Sequence, residues 1–225
     1  FRTPLGLLAV NAGILKNYGA RITPAEMQTQ LDEINQSVAR LSCLVESVLT
    51  FNRSGSDDMV LAPVTINICA TCTELAAHIT ALFGASHNLK VQVADACGSI
   101  RLDEQLFRQI VENLLVNAFR YTPAGGQITL EAGISDRQLV ITVRDNGIGI
   151  PEEDQPHIFK PFYQAGNSGN RRGLGLGLSI VQQSVTRMGG TVFLKSTPGS
   201  GTVVTLQLPL DETAPEEKTS VCTPS

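Results

Sequence analysis

Three clusters in this sequence carry residue types and spacings suited to chemistry. Asn113 and Asn117 stand four residues apart, and Arg120 and Tyr121 follow on the next turn, so a helix would set them along one face. An asparagine offers a neutral carbonyl oxygen to a hard cation such as Mg²⁺, and an arginine supplies charge that bound phosphates need. A polar stripe facing solvent is the plain alternative for the same spacing. Asp145-Asn146-Gly147-Ile148-Gly149 sets one carboxylate and two glycines at a strand end, where a ligand can approach the backbone and an exocyclic amine can donate to the acid. A simple Asp-Asn-Gly turn is the competing reading. Gly173-Leu174-Gly175-Leu176-Gly177-Leu178-Ser179 precedes an apolar helical stretch, and its glycines free amides to meet phosphate oxygens at the helix's positive end. It matches neither the G-x-x-x-x-G-K-[ST] of a P-loop nor the G-x-G-x-x-G of a dinucleotide fold. Just upstream, residues 164–172 are rich in Gly, Asn and Arg, as suits a mobile lid, with Arg171 and Arg172 available to phosphates.

Elements that could position these clusters are legible on either side of them. Asn67 is placed to cap a helix running to about Phe83, Leu89 to Val93 alternates as a strand, and Asp103 opens a helix with Leu106, Ile110 and Leu114 on one face. Strand patterns over 127–134 and 138–144 flank a turn at Ile134-Ser135-Asp136-Arg137. A helix from about Gly175 to Met188 leads through Gly189-Gly190 into strands near 191–196 and 202–208. This mixture with neighbouring hairpins predicts an α+β fold, a layer of helices on a mixed, largely antiparallel sheet.

Ahead of that domain, Phe1, Leu5, Leu8, Ala12 and Leu15 recur at helical spacing, and Tyr18 to Arg21 break it. Thr23-Pro24-Ala25-Glu26 then reads as a capping box, and Met27, Leu31, Ile34, Val38, Leu41, Val45 and Val48 hold a heptad seam. Two helices bury too little apolar surface alone, so this hairpin is expected to pair with a second copy as a four-helix bundle rather than fold back on the rest of the chain. The expected organisation is a hairpin over 1–53, a linker over 54–63, the α+β domain over 64–210 and a disordered tail over 211–225.

The order of the clusters resembles the histidine-kinase branch of the Bergerat-fold ATPases. Asn113-Leu-Leu-Val-Asn117-Ala-Phe-Arg120-Tyr121 is similar to that family's N box, Asp145 to Gly149 to its first glycine box, and Ile158-Phe159-Lys-Pro-Phe162 to its F box. Gly173 to Ser179 is similar to the second glycine box, and Gly201-Thr202 sits where the last strand closes the site. The resemblance covers about residues 60 to 210, and the hairpin extends it to nearly the whole chain. It implies ATP and Mg²⁺ as cofactors, with Asn117 holding the metal beside Asn113, Arg120 meeting phosphate, and Tyr121 lining the adenine. Asp145 would bind the adenine amine, with Gly147, Gly149, Ile150 and Thr202 near it. Phe159 and Phe162 of the F box would join the nucleotide site, while Arg171, Arg172, Gly173, Leu174, Gly175, Leu176, Gly177 and Leu178 would follow the phosphate chain.

Phe1-Arg2-Thr3-Pro4-Leu5 resembles the end of the family's H box, which would place the phosphoacceptor histidine two residues before Phe1, outside this chain. Thr3 matches the position that members use to orient a water in dephosphorylating a partner; a plain helix-start threonine is the alternative. None of His78, His87 or His157 lies in such a context. The family's reaction passes the γ-phosphoryl of ATP to that histidine and on to an aspartate of a response-regulator receiver domain. The chain opens without methionine, which is expected of a fragment, and this fragment should bind ATP without phosphorylating itself.

Composition narrows the classes further. The 225 residues carry a formal net charge of -4, so no basic excess argues for nucleic acid. Five irregularly spaced cysteines argue against a secreted disulfide framework and for a reducing, cytoplasmic setting, with Cys69 and Cys72 packing in a helix. No apolar run approaches the ~18 residues of a membrane span, so no membrane contact is expected of this fragment, although a longer parent could be anchored. The runner-up function is an ATP-driven clamp of the gyrase, mismatch-repair or chaperone kind. Those enzymes carry a glutamate base four residues before the metal asparagine; here Asn113 stands there, and Glu112 is rotated ~100° away. A third reading, a dimeric scaffold with a decayed nucleotide site, fits poorly because every box is intact.

Overall fold

The computed structural model describes residues 61–84, 86–171 and 174–210, together with Val10, Gly13, Ile14, Thr23, residues 26–31 and Ile34; the side chains of Asn170 and Arg171 are outside this set. The chain divides into two compact units, Phe1–Arg53 and Ser54–Ser225. In the first, the Thr23 amide donates to Glu26 Oε2 at 2.8 Å and the Glu26 amide donates to Thr23 Oγ1 at 3.3 Å, the reciprocal bonds of a capping box. Residues 26–31 and Ile34 are helical, and the seam residues Met27 and Leu31 are exposed on the single chain. The remainder of the hairpin, linker positions 54–60 and the tail lie outside the described residues.

The second unit places a five-stranded sheet beneath three helices. Its elements run β1 (Pro63–Asn67), α1 (Ile68–Phe83), β2 (Asn88–Val93), β3 (Ser99–Asp103), α2 (Glu104–Tyr121), β4 (Gln127–Ser135), β5 (Gln138–Asp145), α3 (Gly177–Arg187), β6 (Thr191–Thr197) and β7 (Gly201–Pro209). The main sheet has the order β2-β4-β5-β7-β6. β2 lies parallel to β4, and every other pairing is antiparallel. This is the mixed, largely antiparallel α+β sandwich expected from the sequence.

Helix starts follow local chemistry. Asn67 Oδ1 accepts from the Ala70 amide at 2.9 Å, and Asp103 Oδ1 accepts from the Leu106 amide at 3.0 Å. Such caps contribute about 1 kcal/mol each by satisfying amides that the first turn leaves open. The core forms where inward residues of neighbouring strands align, as in Leu130↔Val143 and Ile141↔Leu206, against Phe107, Ile110, Leu114 and Leu115 of α2.

Three local expectations need correction. The linker was expected to run to residue 63, but Pro63 already begins β1, whose register with β3 pairs Ile66 with Ile100 in the core. That two-stranded sheet was not anticipated. Between β4 and β5 the strand continues through Ser135, and the reversal is confined to Asp136 and Arg137 at φ 50° and 60°, the left-handed pair of a tight hairpin. The helix expected from Gly175 starts at Gly177, because Gly175 takes φ 69° and cannot continue a right-handed turn.

Candidate functional site

α2 turns Ile110, Val111, Leu114, Leu115 and Ala118 to the core and leaves Asn113, Asn117, Arg120 and Tyr121 half-buried at its margin. Asn113 Nδ2 donates to the Gln109 carbonyl at 2.8 Å, which fixes the amide and frees Oδ1 for another partner. The start of α3 supplies the facing wall. A β-carbon placed on Gly177 would lie 3.2 Å from Asn117 Nδ2, 3.3 Å from Asn113 Oδ1 and 3.4 Å from Asn117 Oδ1. No side chain among the described residues caps α3, which leaves its first-turn amides without a cap near those asparagines. Arg120 makes no ion pair among the described residues.

The far end of α2 meets the Asp145 turn. The Ile148 amide donates to the Tyr121 carbonyl at 3.2 Å, and a β-carbon on Gly147 would come within 2.6 Å of that same oxygen. Asp145 Oδ1 accepts from the Gly147 amide at 2.8 Å and the Thr202 amide at 3.3 Å, so Oδ2 is left without a hydrogen bond among the described residues. Burial raises the Asp145 carboxyl above the usual range, and the two amides only partly offset this. A carboxylate in that state favours an incoming neutral donor.

Behind the turn, glycines allow backbone to press on backbone. Gly201, at φ 103°, leaves no room for a β-carbon against the Asp145 carbonyl, and Gly149, at φ 65°, leaves none against the Thr197 carbonyl. Ser196 Oγ accepts from the Ile150 amide at 2.9 Å and lies 2.8 Å from Thr202 Oγ1. Gln155 Nε2 donates to the carbonyls of both Ile150 and Ser196 at 3.0 Å.

The remaining expected residues join from the other side. The Phe162 amide donates to the Gly175 carbonyl at 2.8 Å, and Gly175 packs on the backbone of Tyr163. Phe159 is half-buried, whereas Phe162 is 63% exposed. Residues 166–171 form a short 3₁₀ segment broken at Gly169 and pack against α2. Asn167 Nδ2 reaches the Gly149 carbonyl at 2.9 Å. Hydrogen bonds, packing and short runs of chain thus link Asn117, Gly177, Gly175 and Phe162, then through Tyr163, Asp154 and Gly166 reach Asn167 and Gly149, and through Ile148 return to Tyr121 and α2, a circuit around one end of that helix. Leu174, Leu176 and Leu178 lie in or next to that circuit, Leu176 being buried. Thr3, Arg172, Gly173 and the Arg171 side chain lie outside the described residues.

Ser196, Gln155, Asn167, Asp154 and Tyr163 hold this circuit together and were not anticipated. Their bonds reach across the fold, so spacing along the chain carries no mark of them. Among the described residues no cluster of three or more His, Cys, Asp or Glu side chains could hold a metal ion. No helix among the described residues is long and apolar enough to cross a membrane.

Residues 102–212 match the family described as histidine kinase-, DNA gyrase B-, and HSP90-like ATPase. An uncharacterized sensor-like histidine kinase of Rhizobium meliloti is 30% identical over 223 residues, which cover 96% of this chain and 42% of that protein. The chain therefore spans less than half the length of this relative. Among solved structures, the Acinetobacter baumannii histidine kinase AdeS shares the fold with a TM-score of 0.72 at 20% identity, covering 94% of this chain and 97% of that one. Full-length ShkA in complex with AMPPNP gives 0.70 at 24% identity, with 95% and 47% covered. The histidine kinase ThkA in complex with the response regulator protein TrrA gives 0.70 at 21% identity, with 93% and 58% covered.

Proposed function

Because residues 102–212 belong to the histidine kinase-, DNA gyrase B-, and HSP90-like ATPases and the chain carries the catalytic domain of a sensor histidine kinase, we propose that it binds Mg²⁺·ATP within the circuit around α2 and donates the γ-phosphoryl group to a histidine. From there the group passes to an aspartate on a response-regulator receiver domain. The observation that carries this reading is the meeting of Asn113, Asn117 and Gly177: two amide side chains lie so close to the start of α3 that even a β-carbon there would press on them.

Each end of the nucleotide has a matching chemistry. Asp145 Oδ2 accepts the adenine amine, Tyr121 and Ile150 line the ring, and Thr202 steadies the acid through its amide. The open amides of α3 and the Gly175 loop receive phosphate oxygens, where the helix end favours negative charge. Arg120 and, in the segment beyond Asn170, Arg171 and Arg172 add positive charge. The α2 amides suit Mg²⁺, a hard ion that keeps several waters and takes further oxygens from phosphates. Asn117 would hold it with Asn113 beside it, and the bound ion would neutralise charge developing on the transferred group. The chain's own contribution is then alignment of the terminal phosphate and exclusion of water.

The acceptor histidine is proposed to belong to the H box, two residues ahead of Phe1, with Thr3 placed to serve the reverse, dephosphorylating step. The hairpin pairs with a second copy, consistent with exposed Met27 and Leu31; the setting is cytoplasmic. The clamp-type ATPase reading is not favoured, because Asn113 occupies the position of its glutamate base and is engaged with its own helix.

Titration with a non-hydrolysable ATP analogue tests the binding step. Asn117→Asp should weaken Mg²⁺-dependent binding and Asp145→Asn should abolish adenine recognition; unchanged affinity in both would sink the reading. In a protein extended upstream through the H box, γ-labelled ATP should yield acid-labile, base-stable label, and phosphate release without labelling would point to a hydrolase.

A further inference from the structure

Beside the circuit lies a carboxylate that no proposed nucleotide contact uses. Asp154 is only 8% exposed. Its Oδ1 accepts from the Tyr163 hydroxyl at 2.6 Å, and its Oδ2 accepts from the Gly166 amide at 2.8 Å. Its backbone is held as well, since its amide donates to the Pro151 carbonyl at 3.0 Å and its carbonyl accepts from the His157 amide at 2.8 Å. The Tyr163 ring packs edge-on against His157, with centroids 5.5 Å apart.

Both clamped points root the part of the chain proposed to meet phosphates. Gly166 opens the 166–171 segment, whose next residue, Asn167, bonds the Gly149 carbonyl, and whose Ser168 is buried and donates to the Ala165 carbonyl at 2.6 Å. Tyr163 adjoins Phe162, and the Phe162 amide holds Gly175. Burying an acid is costly unless each oxygen is satisfied, and apolar side chains would pack the same space more cheaply. What an acid adds is two acceptor oxygens, one for the Tyr163 hydroxyl and one for the Gly166 amide. An asparagine has only one, so its amide nitrogen would face a donor.

We propose that Asp154 is a positioning residue for the phosphate end of the nucleotide: by clamping Tyr163 and Gly166 it aligns the 166–171 segment and the Gly175 loop without touching the ligand. The inference rests on the nucleotide-binding reading above. Among the described residues Asp154 makes no direct bond to Asp145 or its turn, which meets the 166–171 segment through Asn167 at the Gly149 carbonyl, so adenine recognition should depend on it far less than phosphate binding does.

The test compares two probes, adenosine and a Mg²⁺-bound non-hydrolysable ATP analogue, on the full 225-residue chain. Asp154→Asn should lower affinity for the analogue about tenfold, the scale of one charge-assisted hydrogen bond, and leave adenosine affinity unchanged. Tyr163→Phe, which keeps the carboxylate and its Gly166 bond, should move the same ratio in the same direction, and the double variant should lose less than the two single losses combined. Equal loss for both probes, or unchanged analogue affinity in Asp154→Asn, overturns the inference. Should Asp154→Asn fail to fold, the probe ratio of Tyr163→Phe decides alone. If the unaltered chain binds neither probe, the nucleotide reading itself falls and takes this inference with it, a result distinct from binding that is insensitive to Asp154.

Discussion

At the scale of single residues, Asp145 sets stability against function. Its folded carboxyl is raised by burial, so between the ordinary carboxylate value and the raised one the folded chain holds more proton than the unfolded chain. Stability attributable to this group therefore falls as pH rises through that window, and its ionised form is a cost at neutral pH. Asp145→Asn keeps an oxygen for the Gly147 and Thr202 amides. It should leave the melting temperature at pH 7 equal or higher, flatten this part of the acid profile, and abolish adenine binding, as read by calorimetric scans with and without ligand. Gly177→Ala makes a similar separation. Alanine favours a helix over glycine by up to about 1 kcal/mol, yet its β-carbon would push on Asn113 and Asn117 at 3.2–3.4 Å. Folding should be unharmed while Mg²⁺-dependent analogue affinity drops about tenfold or more, measured by titration at fixed Mg²⁺.

The asparagines, Asp145 and the glycine-rich run could be picked out beforehand because their chemistry is written in residue type and short spacing. Asp154, Tyr163 and Ser196 could not. Their importance comes from partners distant along the chain, such as Ser196 beneath Ile150, and an aspartate among Glu152 and Glu153 looks like any solvated acidic turn.

At the scale of elements, the glycines that let strands and turns touch should dominate stability. Gly201→Ala would drive a β-carbon into the Asp145 carbonyl at a left-handed φ of 103°. A loss of about 2 kcal/mol or more is expected in urea unfolding. Arg108 offers a contrast. It spans α1 and α2, pairing with Glu74 at 2.8 Å and Glu104 at 2.9 Å, but all three side chains are substantially solvated. Arg108→Ala should therefore cost below about 1 kcal/mol in the same assay. The Cys72 thiol on α1 is pushed up to about 12 by burial, and it should stay unalkylated in the native chain.

Long elements were legible because their periods and caps repeat: Asn67 and Asp103 announced α1 and α2, and alternation announced β4 and β5. The β1 and β3 pair was not legible. Each strand has only five residues, Pro63 disguises one of them, and the pairing of Ile66 with Ile100 in the core is made by folding rather than by local pattern. The start of α3 was misplaced for a related reason. Gly175 has the composition of a helix-opening glycine, and only its packing on Tyr163 demands the left-handed turn.

At the scale of the whole molecule, the proposed function assigns the two units separable roles, and each is testable on the intact chain. Sedimentation should give a dimer at micromolar concentration, with Ile34→Asp, on the expected heptad seam, shifting it to monomer. Analogue affinity per chain should be unaltered, because the proposed nucleotide contacts all belong to the second unit. A monomeric unaltered chain would remove the hairpin from the dimer interface.

The bond between the Phe162 amide and the Gly175 carbonyl has a reach beyond nucleotide affinity. It brings the two feet of an excursion to one point of the frame. Doubling the length of such a stretch adds only about 0.6 kcal/mol of closure entropy. Insertions into that stretch that keep the Gly166, Asn167 and Ser168 bonds should therefore leave the sheet and its three helices in register.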